Sequence, residues 1–77
     1  MRAQRVWIDR DVLIVSERPD GLELLGPMRL RPGAEVELIT RTQGDAPPSR
    51  RQALVWSWWL TAMDNEGPRY RGFCRWT

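Results

Sequence analysis

Turn chemistry cuts this chain into pieces too short for an ordinary helix, and that punctuation constrains the fold more than any other feature. Pro19-Asp20-Gly21, Gly26-Pro27, Pro32-Gly33, the Gly44-Asp45-Ala46-Pro47-Pro48 run and Gly67-Pro68 each combine residues that set a turn or refuse a ladder. The runs between them, 6–8, 12–16, 22–25, 34–42, 51–62 and 69–76, are rich in β-branched, aromatic and leucine side chains and read as six strands. One short helical turn could form at 26–30 before Pro32 stops it. The expected fold is all-β, a small six-stranded antiparallel barrel forming a single domain over residues 1–77, because closure removes the sheet edges that short strands otherwise expose. SH3-like and OB-type barrels are the alternatives at this length.

A chain of 77 residues buries only about 60% of the surface its unfolded form exposes, so its core must be dense. Five of the seven aromatic residues are Trp, and each ring can bury up to about 250 Å². Three of them fall in the stretch 53–61. Strict alternation there puts Leu54, Trp56, Trp58 and Leu60 on one face, assigned to the core, and Ala53, Val55, Ser57, Trp59 and Thr61 on the other. Val55 and Trp59 then lie on a face that no segment of the chain evidently covers, which marks them as a candidate protein interface. In 34–38 the same periodicity turns Ala34, Val36 and Leu38 inward and Glu35 and Glu37 to water. Val12-Leu13-Ile14-Val15 is apolar on both faces and reads as a central or doubly covered strand.

All twelve basic residues are Arg, against ten carboxylates, and His is absent. That bias reflects a GC-rich bacterial coding sequence more than a function, and a net charge of +2 is too small to imply nucleic-acid binding by itself. Local clustering is the remaining route: Arg69, Arg71 and Arg75 share one face of the last strand with Phe73, an interleaving suited to single-stranded nucleic acid. The plainer reading pairs those arginines with Glu35 and Glu37 across the sheet. Cys74 stands alone, so no internal disulfide forms, and with Tyr70, Gly72 and Trp76 it falls on the inward face as a small hydrophobe. No catalytic constellation is legible: Ser16, Ser49 and Ser57 lack a base, and Asp9 and Asp11 read as turn residues. No metal site or cofactor is expected, no stretch approaches the length of a membrane span, and a cytoplasmic location follows as the default.

The order of the strand signals resembles the PilZ domain, a bacterial β-barrel family whose best-known members bind cyclic di-GMP. Val12-Leu13-Ile14-Val15-Ser16 followed by Gly21-Leu22-Glu23-Leu24 is similar to the family's strand ending in Ser, then Gly and a new strand. Arg31-Pro32-Gly33-Ala34-Glu35-Val36-Glu37-Leu38 resembles its xPGxxVxL turn, Ala53-Leu54-Val55-Trp56 its next strand, and Tyr70-Arg71-Gly72-Phe73 its closing YxxG strand. The nucleotide motif of the family is an RxxxR arm upstream of [D/N]xSxxG. Here Ile14 stands where the carboxylate or amide belongs, four residues separate Ser16 from Gly21, and the nearest arm is Arg2 and Arg5. The resemblance therefore implies absent or weak cyclic di-GMP binding, with Arg2, Arg5, Arg10, Ser16 and Gly21 as the residues that would carry any. The overall expectation is a non-catalytic, PilZ-like binding or regulatory module working through a protein partner or self-association. A small-barrel binder of single-stranded nucleic acid is the alternative, and a residual cyclic di-GMP receptor the third reading.

Overall fold

The computed structural model describes residues 3–41 and 46–77. Six strands follow the punctuation of the sequence: β1 (Gln4–Ile8), β2 (Leu13–Arg18), β3 (Gly21–Gly26), β4 (Glu35–Thr40), β5 (Ser49–Asp64) and β6 (Gly67–Trp76). No helix forms. The stretch 26–30 instead leaves β3 and runs on without regular structure, because Pro27 and Pro32 leave too few residues to nucleate a helix. Leu30 of this segment is buried in the core and Met28 packs against it.

All six strands join one sheet in the order β1-β4-β5-β6-β3-β2. Two parts of the expected architecture need correction. The sheet does not close into a barrel, since β1 and β2 remain unpaired edges. Nor is it wholly antiparallel: β1 runs parallel to β4, with Val6 opposite Leu38 and Ile8 opposite Thr40, while every other pair is antiparallel. A parallel pair needs a crossover, and residues 27–34 supply it after the β2–β3 hairpin. The two edges are nevertheless successive in sequence. Residues 9–12 alone join them, a link that reaches at most about 17 Å, so the sheet curls around its own core. Val6 and Ile8 from one flank accordingly share a cluster with Leu22 and Leu24 from the other side, together with Val36, Leu38, Ala53, Val55 and Cys74. In β4 Val36 and Leu38 are buried and Glu35 exposed as expected, but Glu37 is half-buried beside Arg5 and Arg50, and Ile39 on the opposite face is fully buried.

β2 is not the doubly covered strand its apolar run implied. It lies at an edge, with Leu13, Ile14 and Val15 all substantially exposed. Its register slips between Ile14 and Ser16, leaving Val15 as an extra residue. A bulge of this kind twists an edge strand and blunts its pairing.

The larger correction concerns β5. Ladder partners pass from Val55 with Cys74 directly to Ser57 with Phe73, so Trp56 is an inserted residue. Before the bulge Ala53 and Val55 face the core and are fully buried; after it Trp58 faces the core, paired with Gly72. Trp56 is turned outward at 59% exposure. Val55 is therefore core rather than interface, because the inserted residue resets the period of two on which the face assignment rested. Leu54, Trp56 and Leu60, the last 51% exposed, leave the core set and Ala53 and Val55 enter it. Trp59 stays outward, 49% exposed, and Trp58 is anchored by its indole Nε1–H, which donates to the Met28 carbonyl at 3.0 Å.

Candidate functional site

The outer face of β2, β3, β6 and β5 carries the strongest concentration of chemistry in the molecule. Cross-strand partners lie on the same face of a sheet, so Glu23, Phe73 and Ser57 form one row, Leu25, Arg71 and Trp59 the next, and Gly21, Arg75 and Leu54 the third. The outward turn of Trp56 at the bulge adds a second indole beside Arg75. Together these residues shape an open cleft of about 490 Å³ lined by Arg18, Glu23, Trp56, Trp59, Phe73 and Arg75.

Its electrostatics are partly self-satisfied. Glu23, whose side chain is only 14% exposed, lies 3.8 Å from Arg18 and is also paired with Arg71. Arg18 in addition sits over the Phe73 ring at 5.2 Å, and Arg75 over Trp56 at 5.5 Å. Arg69 bonds Glu66 at 2.9 Å near the hairpin end. Arg75 has no ion pair among the described residues. Ser57 Oγ accepts the Phe73 backbone N–H at 3.3 Å, which ties the bulge to β6. Glu23 thus holds two guanidiniums in place, that of Arg18 over the Phe73 ring. Glu23→Ala should cost about 1–2 kcal/mol, since it strands Arg71 without its carboxylate, and Glu23→Gln should cost less. Denaturant midpoints of the two variants check this, and equal midpoints would show that charge plays no part.

The expected row of Arg69, Arg71, Phe73 and Arg75 does occupy one face of β6. Its acidic partners differ from those expected: Glu23 and Glu66 take Arg71 and Arg69, while Glu37 lies 3.9 Å from Arg5 and 3.6 Å from Arg50. The reason is strand order, which places β3 rather than β4 beside β6. Sequence reasoning missed Arg18, Glu23 and Trp56 for the same cause, because neither the β3–β6 pairing nor the bulge is marked by a local signal.

Among the described residues, those of the nucleotide motif are not brought together. Arg2 lies outside the described residues. Arg5 pairs with Glu37 on β4, Arg10 sits exposed in the link between β1 and β2, and Ser16 and Gly21 belong to β2 and β3 at the far end of the sheet order. A side chain at Gly21 would meet the Cys74 carbonyl at 2.1 Å, so packing against β6 explains this glycine without a ligand. Asp9 and Asp11 form a local turn, with Asp9 Oδ1 accepting the Asp11 N–H at 3.0 Å. Burial pushes the Cys74 thiol up from 9.0 to about 11, which keeps it protonated and unreactive at neutral pH. No helix of the described residues is long and apolar enough to cross a membrane.

No family model, curated protein or solved structure matches this chain.

Proposed function

We propose that the chain is a non-catalytic binding module, PilZ-like in the order of its strand signals, that engages a protein partner through the cleft between β2, β3, β6 and β5. The observation that carries this reading is the pair of outward indoles, Trp56 and Trp59, set beside Arg75 in that cleft. Trp and Arg are the residue types that dominate binding energy at protein interfaces, and an arginine without a carboxylate beside a half-open aromatic pocket is a ready anchor. Near balance of charge, with Glu23 and Asp20 lining the same cleft as Arg18 and Arg75, favours a protein surface over a polyphosphate. Ser16 within β2 opposite Glu23, Gly33 in a left-handed turn before β4 (φ 89°) and Tyr70 and Gly72 on β6 occupy strand and turn positions compatible with the family resemblance. The scattered arginine set supports absent or weak cyclic di-GMP binding. A lone reduced thiol fits a cytoplasmic setting.

A second reading has its own support in the alignment of Arg69, Arg71, Phe73 and Arg75 on one face of β6, which matches a single-stranded nucleic-acid platform. Two of the three arginines are already paired with carboxylates, which weakens it.

Immobilised wild type and a Trp56→Ser/Arg75→Ala variant, each exposed to cell lysate, test the proposal. A protein retained by the wild type and lost by the variant is expected, with no saturable micromolar heat on titrating cyclic di-GMP. Retention indifferent to the substitutions contradicts the assignment. Recovery of RNA that dissociates steeply with added salt would favour the nucleic-acid reading instead.

A further inference from the structure

Past the point where β4 ends its pairing, β5 has a free edge. β4 pairs with Ser49 to Leu54 of β5, and Val55 closes that ladder by exchanging backbone bonds with Gly33 and Ala34. From Ser57 to Asp64 only β6 pairs with β5 among the described residues. The other edge of β5 opens onto a groove of about 860 Å³, walled by Arg29, Arg31 and Pro32 on one side and by Trp58, Trp59 and Leu60 on the other.

Sheets protect such edges with charges, prolines or glycine kinks. Residues 53–63 contain no charged residue, no Pro and no Gly, and the one irregularity within the free stretch is the bulge at Thr61, where the ladder to β6 passes from Leu60 to Ala62. Leu60 is 51% and Met63 70% exposed. The charges that do occur lie at the two ends of the groove system. Arg29 and Arg31 have no ion pair among the described residues, and the tip of the β5–β6 hairpin carries Asp64 and the exposed Glu66. An antiparallel, two-fold pairing of two β5 edges would set Ser57 of each chain near Asp64 of the other. It brings the acidic tip of each hairpin to the Arg29–Arg31 wall of its partner, and symmetry makes every such contact twice.

We propose that the occupant of this edge is a second copy of the chain, forming an isologous dimer through β5 with its hairpin tips seated against Arg29 and Arg31. This surface is distinct from the outer-face cleft, although Trp59 touches both, so the test leaves Trp59 unchanged and a lost dimer is distinguishable from a lost partner.

Light scattering with size exclusion over a concentration series reads the outcome. Wild type should run at twice its 9.0 kDa chain mass. Leu60→Lys/Met63→Lys, which places charges on the edge at exposed positions, should be a monomer with an unchanged circular dichroism spectrum. Arg29→Glu/Arg31→Glu should weaken the dimer about tenfold or more, and adding Glu66→Arg to that variant should restore part of the loss. A wild type that stays monomeric up to about 1 mM overturns the proposal and leaves the edge to another occupant. A dimer indifferent to both the lysine pair and the charge reversal also overturns it, since the interface would then lie elsewhere.

Discussion

Gly72→Ala should lower the melting temperature by more than about 12 °C, because the new methyl has nowhere to go. A Cβ at this position would lie 1.9 Å from the Ser57 carbonyl oxygen and 2.6 Å from Cε3 of Trp58. The first of these is backbone, held by the bulge at Trp56 and by the Ser57 bond to Phe73. Relief therefore requires β5 and β6 to separate where they pair most extensively. Overpacking a well-filled site costs about 1–3 kcal/mol and more when backbone must move, and a loss of about 3 kcal/mol corresponds to some 12–24 °C in a domain of this size. Gly26→Ala is the internal control. Its added methyl meets the sulfur of Met28 at 2.8 Å, the movable end of a flexible side chain, so its cost should be much smaller. Thermal melts of the two variants separate the explanations. Equal losses would mean that β propensity, rather than the close approach of β5, sets the value of both glycines.

The second large effect distinguishes two neighbours on β5. Val55→Glu should leave no folded population, whereas Trp59→Glu should change stability by less than about 1 kcal/mol. Val55 is fully buried opposite Cys74, and an unpaired carboxylate there costs several kcal/mol, against a total stability of only about 4–12 kcal/mol for a chain this long. Trp59 stands half exposed opposite Arg71, where a carboxylate meets water and a guanidinium. Circular dichroism melts read both variants. A folded Val55→Glu would return Val55 to the surface and remove the bulge from its place at Trp56.

These two residues also show where the sequence was informative and where it was not. The existence of all six strands was legible, since turn chemistry is local: Pro19-Asp20 and the hairpin before Gly67 (φ 111°) carry their geometry in the residues themselves. The row Arg69, Arg71, Phe73 and Arg75 was legible as well, because β6 alternates without interruption. β5 was not. Nothing in Ala53-Leu54-Val55-Trp56-Ser57-Trp58-Trp59 marks which residue is the inserted one, and that insertion reverses the faces from Ser57 until a second slip at Thr61 reverses them again. The cleft inherits that blindness twice over. Trp56 reaches it through the bulge, while Arg18 and Glu23 reach it through the β3–β6 pairing, a contact between residues about fifty positions apart that no local pattern encodes. Openness of the sheet was likewise illegible, because closure depends on whether β1 and β2, the first two strands of the chain, find each other or separate partners.

At the centre of the account is a division of labour among the tryptophans of β5: Trp58 folds the chain, and Trp56 and Trp59 are left outward for binding. Hydrogen exchange of the indole N–H groups, followed by NMR in the free protein at a concentration low enough to hold it monomeric, tests that division most directly. Trp58, whose indole is bonded to the Met28 carbonyl, should be protected, while Trp56 and Trp59 should exchange as fast as free indole. Protection of Trp56 or Trp59 in the isolated monomer, or fast exchange at Trp58, would contradict it.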